Sequence, residues 1–181
     1  MNKSKLVSIA GILTAMSTIL YVYPTFPVIP AFPWLKIDFA DVPALFASIM
    51  LNPWVGGIVI LIRNTIHLTI SSTGMVGELS NFIISATYVV FAGFLTSVLF
   101  KKNAQTLPKL IASMLAAIVV QVIAATLCNR YIMIPMYGIQ GDPLEYIMIG
   151  VVPFNFIKTL MSSALFVVIY RALIPKIRKY V

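Results

Sequence analysis

Apolar residues fill this chain in six runs, and most polar residues fall in the breaks between them. The first run is Leu6 to Tyr23, stopped by Pro24. Residues 25–37 carry Pro27, Pro30 and Pro33 and cannot form one continuous helix, because each proline removes a donor and clashes with the turn before it. A second run, about Phe39 to Leu51, is short for a membrane span and breaks at Asn52-Pro53. A third continues to about Ile70, and Ser71-Ser72-Thr73-Gly74 predicts a loop. The fourth is about Leu79 to Phe100, followed by a polar connector, Lys101–Thr106. The fifth is about Leu107 to Leu127. Residues 129–150 hold Pro135, Gly138, Gly141 and Pro143 and read as a long, partly structured loop. The sixth is about Val151 to Ile174, with Pro153 near its start, where proline is tolerated. A spanning helix needs roughly 20 apolar residues. The pattern therefore predicts an all-α bundle of six transmembrane helices, a single domain over residues 1–181. No internal repeat is visible, which argues against an inverted-repeat transporter.

Composition agrees. The chain is 60% hydrophobic and 10% charged, with a mean hydropathy of +0.99, whereas soluble domains run near 45–50% apolar and about 25% charged. Lys3 and Lys5 before an apolar run resemble a signal peptide. No small-residue cleavage site follows, so the segment reads as a first span. The net charge of +8 could suggest nucleic acid, but its placement points to a lipid bilayer and no nucleic-acid partner. Six spans put both termini on one side. With them fall Lys3, Lys5, Lys101, Lys102, Lys109, Arg171, Lys176, Arg178 and Lys179, nine of the thirteen basic residues. The positive-inside rule then places both termini in the cytoplasm of a multi-pass cell-membrane protein. All five acids, Asp38, Asp41, Glu78, Asp142 and Glu145, fall toward the opposite face.

Several chemistries are excluded. One cysteine, Cys128, cannot form a disulfide within the chain. One histidine, His67, without a Cys/His cluster makes no zinc site, so no metal and no intrinsic cofactor are expected. No glycine precedes a lysine, so no phosphate-binding loop exists and the chain has no ATPase of its own. H-E-x-x-H and G-x-S-x-G are absent, and no catalytic residues are expected.

Ionisable residues within spans are expensive and usually functional, and three clusters qualify. Asn155 and Lys158 sit three apart in Pro-Phe-Asn-Phe-Ile-Lys and share one helix face. A lysine there can meet a ligand carbonyl or carboxylate, or snorkel to the headgroups. Asn129-Arg130-Tyr131 closes the fifth span, where Asn129 is either a binding group or a helix cap. Arg63, Asn64, His67, Glu78 and Asn81 spread over the third and fourth spans. The plain alternative there is an internal ion pair of Arg63 with Glu78 or an aspartate. Phe26, Phe32, Trp34 and Phe39 flank the proline-rich segment, as an interfacial belt or as the lid of a pocket. Gly11 and Ala15 make a small-xxx-small pair on the first helix, suited to close packing within the chain or to docking another membrane protein.

These segments together resemble the S component, the substrate-binding membrane subunit, of energy-coupling-factor (ECF) vitamin transporters. The resemblance rests on residues 36–45 (KIDFADVPAL), 61–64 (LIRN), 77–82 (GELSNF), 129–138 (NRYIMIPMYG) and 153–158 (PFNFIK). It is greatest to the riboflavin-binding branch. It implies a six-helix bundle with a vitamin pocket near the outer face, closed by the loops between helices one and two, three and four, and five and six. It assigns flavin contacts to Asn129, Asn155 and Lys158. With the bottom-up candidates, the expected substrate-binding set is Asn129, Asn155, Lys158, Asn81, Glu78, Arg63, Asn64 and Asp41. The family's docking motif falls on Gly11 and Ala15, and the implied partners are a transmembrane coupling subunit (EcfT-type) and two cytoplasmic ATPases. The loaded bundle would topple in the membrane to release its vitamin inward, with riboflavin as the transported substrate.

Two residues depart from the riboflavin pattern. Arg63 stands where lysine is expected, and Arg130 where an aromatic is expected. A guanidinium at the pocket suits a carboxylate, which raises pantothenate, and a pyrimidine or pyridine vitamin precursor is a further alternative. A proton-coupled secondary transporter using Asp41, Glu78 or His67 is disfavoured by the acids lying outside the midplane. An enzyme would need more than the pair Glu78 and His67.

Overall fold

A computed structural model describes residues 2–99 and 106–177, with side chains as far as Leu173. Lys101, Lys102, Arg178, Lys179 and the side chain of Lys176, counted above in the basic rim, lie outside the described residues, as does Phe100. Helix α1 (Lys3–Val22) leads into a two-stranded antiparallel ribbon, β1 (Phe26–Pro27) and β2 (Lys36–Ile37), with Phe26 opposite Ile37. Then come α2 (Asp41–Leu51), α3 (Pro53–His67), α4 (Gly74–Leu99), α5 (Leu107–Tyr137) and α6 (143–177). Four of the six, α1, α4, α5 and α6, are long and apolar enough to cross a membrane. All six expected helices are present, and the other two are shorter than these four. At 1.5 Å per residue, α2 rises only about 16 Å and α3 about 22 Å, against a hydrocarbon core of about 30 Å.

A correction concerns residues 129–150. They are not a long loop: α5 continues to Tyr137, α6 begins at Pro143, and only residues 138–142 connect them. Wide turns explain how helix persists through proline-rich sequence. Residues 47–51, 129–133 and 147–151 each form a π-helical turn. In each, the N–H of the next residue (Asn52, Ile134, Val152) reaches five residues back, to the carbonyl of Ala47, Asn129 or Ile147. Each time a proline follows directly: Pro53, Pro135 and Pro153. A proline ring needs room at the preceding turn, and an expanded turn provides it. Punctuation is otherwise conventional. Asn52 caps α3 by accepting from the Trp54 N–H at 2.9 Å, and Asp142 caps α6 by accepting from the Leu144 N–H at 2.9 Å. Gly138 stops α5 at φ 60°, the left-handed position where a side chain is disfavoured.

Successive helices alternate in direction, so Lys3 and Ile177 lie at the same end of the bundle. Near that end the interior is mainly apolar: Tyr88, Val89, Ala92, Leu110, Met114, Ala117, Ile118, Phe166 and Tyr170 form one cluster. The outer surface is equally apolar, with Ile12, Ile19, Phe94, Leu115, Val119 and Val168 exposed to what must be lipid. Helix α1 is the most peripheral; Ser17 is its one buried residue, donating to the Ala40 carbonyl at 2.7 Å.

Contact among α2, α3 and α4 depends on small residues, as is usual where lipid supplies no hydrophobic drive between helices. Ser48 of α2 donates to the Val89 carbonyl of α4 at 2.7 Å. A Cβ on Gly56 would stand 2.5 Å from Ser48 Cβ and 2.8 Å from Val89 Cγ1. Gly56→Ala is expected to lower stability by about 1–3 kcal/mol, the range for overpacking, read as a reduced melting temperature in detergent. An unchanged melt would contradict this packing.

Candidate substrate-binding site

A cavity of about 440 Å³ opens at the end of the bundle opposite the termini, within the roughly 300–1,000 Å³ typical of small-molecule sites. Here α1, α3 and α5 end and α2, α4 and α6 begin. Aromatic and apolar walls come from Tyr21, Trp34, Ile84, Met133, Tyr146 and Phe154. Between them stand Asn81, Gln121, Asn129, Asn155 and Lys158. Ser72 and Thr73 reach the cavity from the α3–α4 connection, and Ile139 from the α5–α6 connection.

The polar groups arrive on defined helix faces. Gln121 and Asn129 lie eight residues apart on α5, with Ala125 between them at the four-residue spacing of one face. Asn129 is the first residue of its wide turn and donates from Nδ2 to the Ala125 carbonyl at 2.8 Å. Asn155 follows the wide turn of α6 and donates from Nδ2 to the Val151 carbonyl at 2.8 Å. Its Oδ1 accepts from Gln121 Nε2 at 2.8 Å. One turn further, Lys158 Nζ bonds Asp38 Oδ2 at 2.8 Å. Asp38 Oδ1 also accepts from the Ala40 N–H at 3.0 Å. Both members of this pair are buried, so Lys158 turns inward rather than to the headgroups.

The segment before α2 forms a lid. Phe32 meets Trp34 edge-on with centroids 5.7 Å apart and Tyr146 edge-on at 5.4 Å. It packs so closely on α6 that a Cβ on Gly150 would come within 2.9 Å of its ring. Of the two meanings open to these aromatics, Phe32 and Trp34 take the lid. Phe26 and Phe39 contact each other, centroids 6.3 Å apart.

Five of the eight expected binding residues line the cavity: Asp41, Asn81, Asn129, Asn155 and Lys158. Arg63, Asn64 and Glu78 do not; they form a buried network behind the wall. Arg63, 0% exposed, donates to Asp41 Oδ1 at 2.9 Å, Asn64 Oδ1 at 3.1 Å and Asn81 Oδ1 at 3.2 Å. Its guanidinium also lies 4.6 Å over the Tyr21 ring. Asp41 Oδ2 accepts from Ser85 at 3.3 Å, and Asn64 donates to the Glu78 carbonyl at 2.9 Å. Glu78 pairs with His67 Nδ1 at 2.8 Å and accepts from Tyr21 at 3.3 Å. Arg63 thus forms an internal ion pair, and its partner is an aspartate, Asp41, rather than Glu78. The case for a carboxylate ligand required a guanidinium at the pocket. Arg63 is committed to Asp41, and Arg130 is exposed and does not line the cavity.

Sequence reading overlooked Asp38, Gln121, Tyr21 and Ser85. An amide in the middle of the apolar run 107–127 was a readable signal for Gln121. Asp38 carried none, because its partner lies 120 residues away. Gly11 and Ala15 are exposed on α1, and no atom stands within 4 Å of a Cβ built on Gly11.

Comparison with known proteins places this architecture. Residues 5–170 match the family described as ECF transporter, substrate-specific component. The riboflavin transporter RibU of Staphylococcus aureus is 30% identical over 180 residues, covering 96% of this chain and 92% of that protein. RibU of Streptococcus thermophilus is 31% identical, covering 95% and 83%. The riboflavin transporter FmnP of Bacillus subtilis is 28% identical, covering 99% and 96%. A solved structure described as the S component of a bacterial ECF transporter superposes with a TM-score of 0.83 at 29% identity, covering 97% of this chain and 99% of that one. A helical membrane bundle with one polar-lined cup is the form of a substrate-binding transport subunit. This chain belongs to the family of ECF transporter substrate-specific components, multi-pass proteins of the cell membrane.

The Arg63–Asp41 pair predicts its own test. Arg63→Ala would strand a buried carboxylate, and breaking such a pair is expected to remove about 3–5 kcal/mol of stability. A melt in detergent should fall steeply; a melt equal to wild type would remove the pair from any structural role.

Proposed function

We propose that this chain binds riboflavin with high affinity and delivers it as the S component of an ECF importer. What supports this most directly is that Asn129, Asn155 and Lys158, the flavin-contacting residues of the riboflavin branch, line one cavity with aromatic walls. The named riboflavin transporters that resemble the chain over nearly its whole length support it further. A flat, three-ring heterocycle suits Tyr21, Trp34, Tyr146 and Phe154, because aromatic faces stack on it. The amides and the lysine suit its ring carbonyls and hydroxylated side chain. Asp41 and Asn81 add polar lining, while Arg63, Asn64 and Glu78 serve the site by holding Asn81 and Asp41 in place.

Family membership supports the remaining parts of the proposal. Both termini lie in the cytoplasm and the cavity faces outward. A transmembrane coupling subunit docks against α1 at Gly11 and Ala15, two cytoplasmic ATPases supply the energy this chain does not generate, and the loaded bundle topples to release its vitamin. Pantothenate and the pyrimidine or pyridine precursors are the competing substrates.

Purified chain should quench riboflavin fluorescence near equal stoichiometry, and preparations from rich medium should be yellow. Failure to quench, together with binding of labelled pantothenate, would overturn riboflavin. Lys158→Ala should weaken riboflavin binding by about 1–3 kcal/mol, roughly fivefold to 150-fold, as expected for losing a charge-assisted hydrogen bond; wild-type affinity would take Lys158 out of the site. Gly11→Leu should leave binding intact and block uptake by whole cells, and normal uptake would refute docking at that face.

A further inference from the structure

Two buried ion pairs stand at the cavity, and each cancels its own charge. Arg63 holds Asp41 at 2.9 Å, and Lys158 holds Asp38 at 2.8 Å. None of the four side chains is more than 6% exposed. Asp41 and Lys158 line the cavity, whereas Asp38 and Arg63 do not. Among the described residues, Lys158 is therefore the one buried cation that a ligand can reach, and Asp38 is its counterion from behind. Asp38 is anchored in that position. Its Oδ1 accepts from the Ala40 N–H at 3.0 Å, and Ser17 of α1 holds the Ala40 carbonyl at 2.7 Å. The other charges nearby do not tip this balance toward an anion. Lys36 lines the cavity but is exposed, so water and salt screen it. Glu78 lies behind the wall, 2.8 Å from His67, and adds negative charge whenever that imidazole is neutral.

Closed pairs limit what can enter. A ligand with a net negative charge loses its water in the cavity and meets no uncompensated buried cation in return, which is unfavourable. It could claim Lys158 only by stranding Asp38 as a buried, unpaired carboxylate, which is also costly. An uncharged ligand meets neither penalty. Asp38 takes one of the three N–H donors of Lys158, so the ammonium can still donate to a neutral carbonyl or hydroxyl. Selectivity of this kind penalises the wrong ligand as well as fitting the right one.

We infer that Asp38, acting through Lys158, is a specificity-determining residue: it closes the charge of the cavity, so that uncharged ligands are accepted and anions refused. The inference rests on the riboflavin reading, since riboflavin is uncharged at neutral pH. It deepens that reading by naming the group that disfavours a carboxylate such as pantothenate.

Riboflavin itself supplies a matched probe, because its oxidised ring is neutral and its two-electron-reduced ring is an anion at mildly alkaline pH. Anaerobic dithionite titration of the saturated complex against a reference dye gives the affinity ratio of the two forms, from the displacement of the bound flavin's midpoint potential from that of free flavin. Wild type should bind the oxidised form about tenfold or more tightly than the reduced anion. Asp38→Asn leaves Lys158 uncompensated and should shift the ratio toward the anion by about tenfold or more. Lys158→Met leaves Asp38 uncompensated and should shift it the opposite way, and the double variant should return it toward wild type. A purely structural role for Asp38 would weaken both forms together and leave the ratio unmoved, which would overturn the inference. If Asp38→Asn does not fold, an unmoved ratio in Lys158→Met overturns it equally. Equal affinity of wild type for the two forms would overturn it without any variant. No binding of oxidised riboflavin by wild type would instead overturn the riboflavin reading itself, and the inference with it.

Discussion

A cation with no path to water must be answered inside the bundle, and the answer given to Arg63 organises the outer half of this protein. Its guanidinium joins α3 to the first residue of α2 through Asp41 and to α4 through Asn81. The neighbouring acid, Asp38, takes Lys158 from α6, and Ser17 of α1 bonds the carbonyl of Ala40 between them. Residues 38–41 are thus tied to α1, α3, α4 and α6 at once. The short α2 has little length of its own to bury, and its start is held by charge where α1, α4, α5 and α6 are held by span.

This division runs through the whole molecule. At one end, ion pairs and amides surround a cavity; toward the other, Tyr88, Leu110, Met114 and Phe166 form a mainly apolar interior, with the Tyr88 hydroxyl bonded to Ser163. Side chains that hold the fold and side chains that face a ligand are also kept apart. Arg63, Asn64 and Glu78 form their hydrogen bonds to neighbours, and so do both amide atoms of Asn155, whereas Asn129, which lines the cavity, fixes its nitrogen on the Ala125 carbonyl and keeps its oxygen as an acceptor. Amides anchored in this way are oriented before any ligand arrives, which is how a small site gains affinity without ordering itself on binding.

The sequence was legible where chemistry is local. Apolar runs located the helices, and the three-residue spacing of Asn155 and Lys158 put both on one face, inside the same cavity as Asn129. Misreading came where an effect is non-local or counter to propensity. Pro135 and Pro143 looked like breakers, but a wide turn ahead of Pro135 keeps α5 running, and Pro143 serves as the first residue of α6 after its Asp142 cap. The shortness of α3 was hidden because Leu68 and Ile70 are apolar yet lie beyond the helix. Arg63 looked like a pocket cation because nothing near it in sequence revealed Asp41, 22 residues away, as its partner. Gln121 was visible as an amide in an apolar run, but only the Val151–Asn155–Gln121 chain shows which of its atoms bonds the protein.

The closed end of the bundle has a consequence for the cell as a whole. A cup whose floor is mainly apolar among the described residues disfavours a continuous file of water across the bilayer, so an empty copy is expected to conduct neither protons nor ions. Many such copies can wait in the membrane without discharging the electrochemical gradient across it, and their number can follow the scarcity of the nutrient rather than the tolerance of the membrane to leakage.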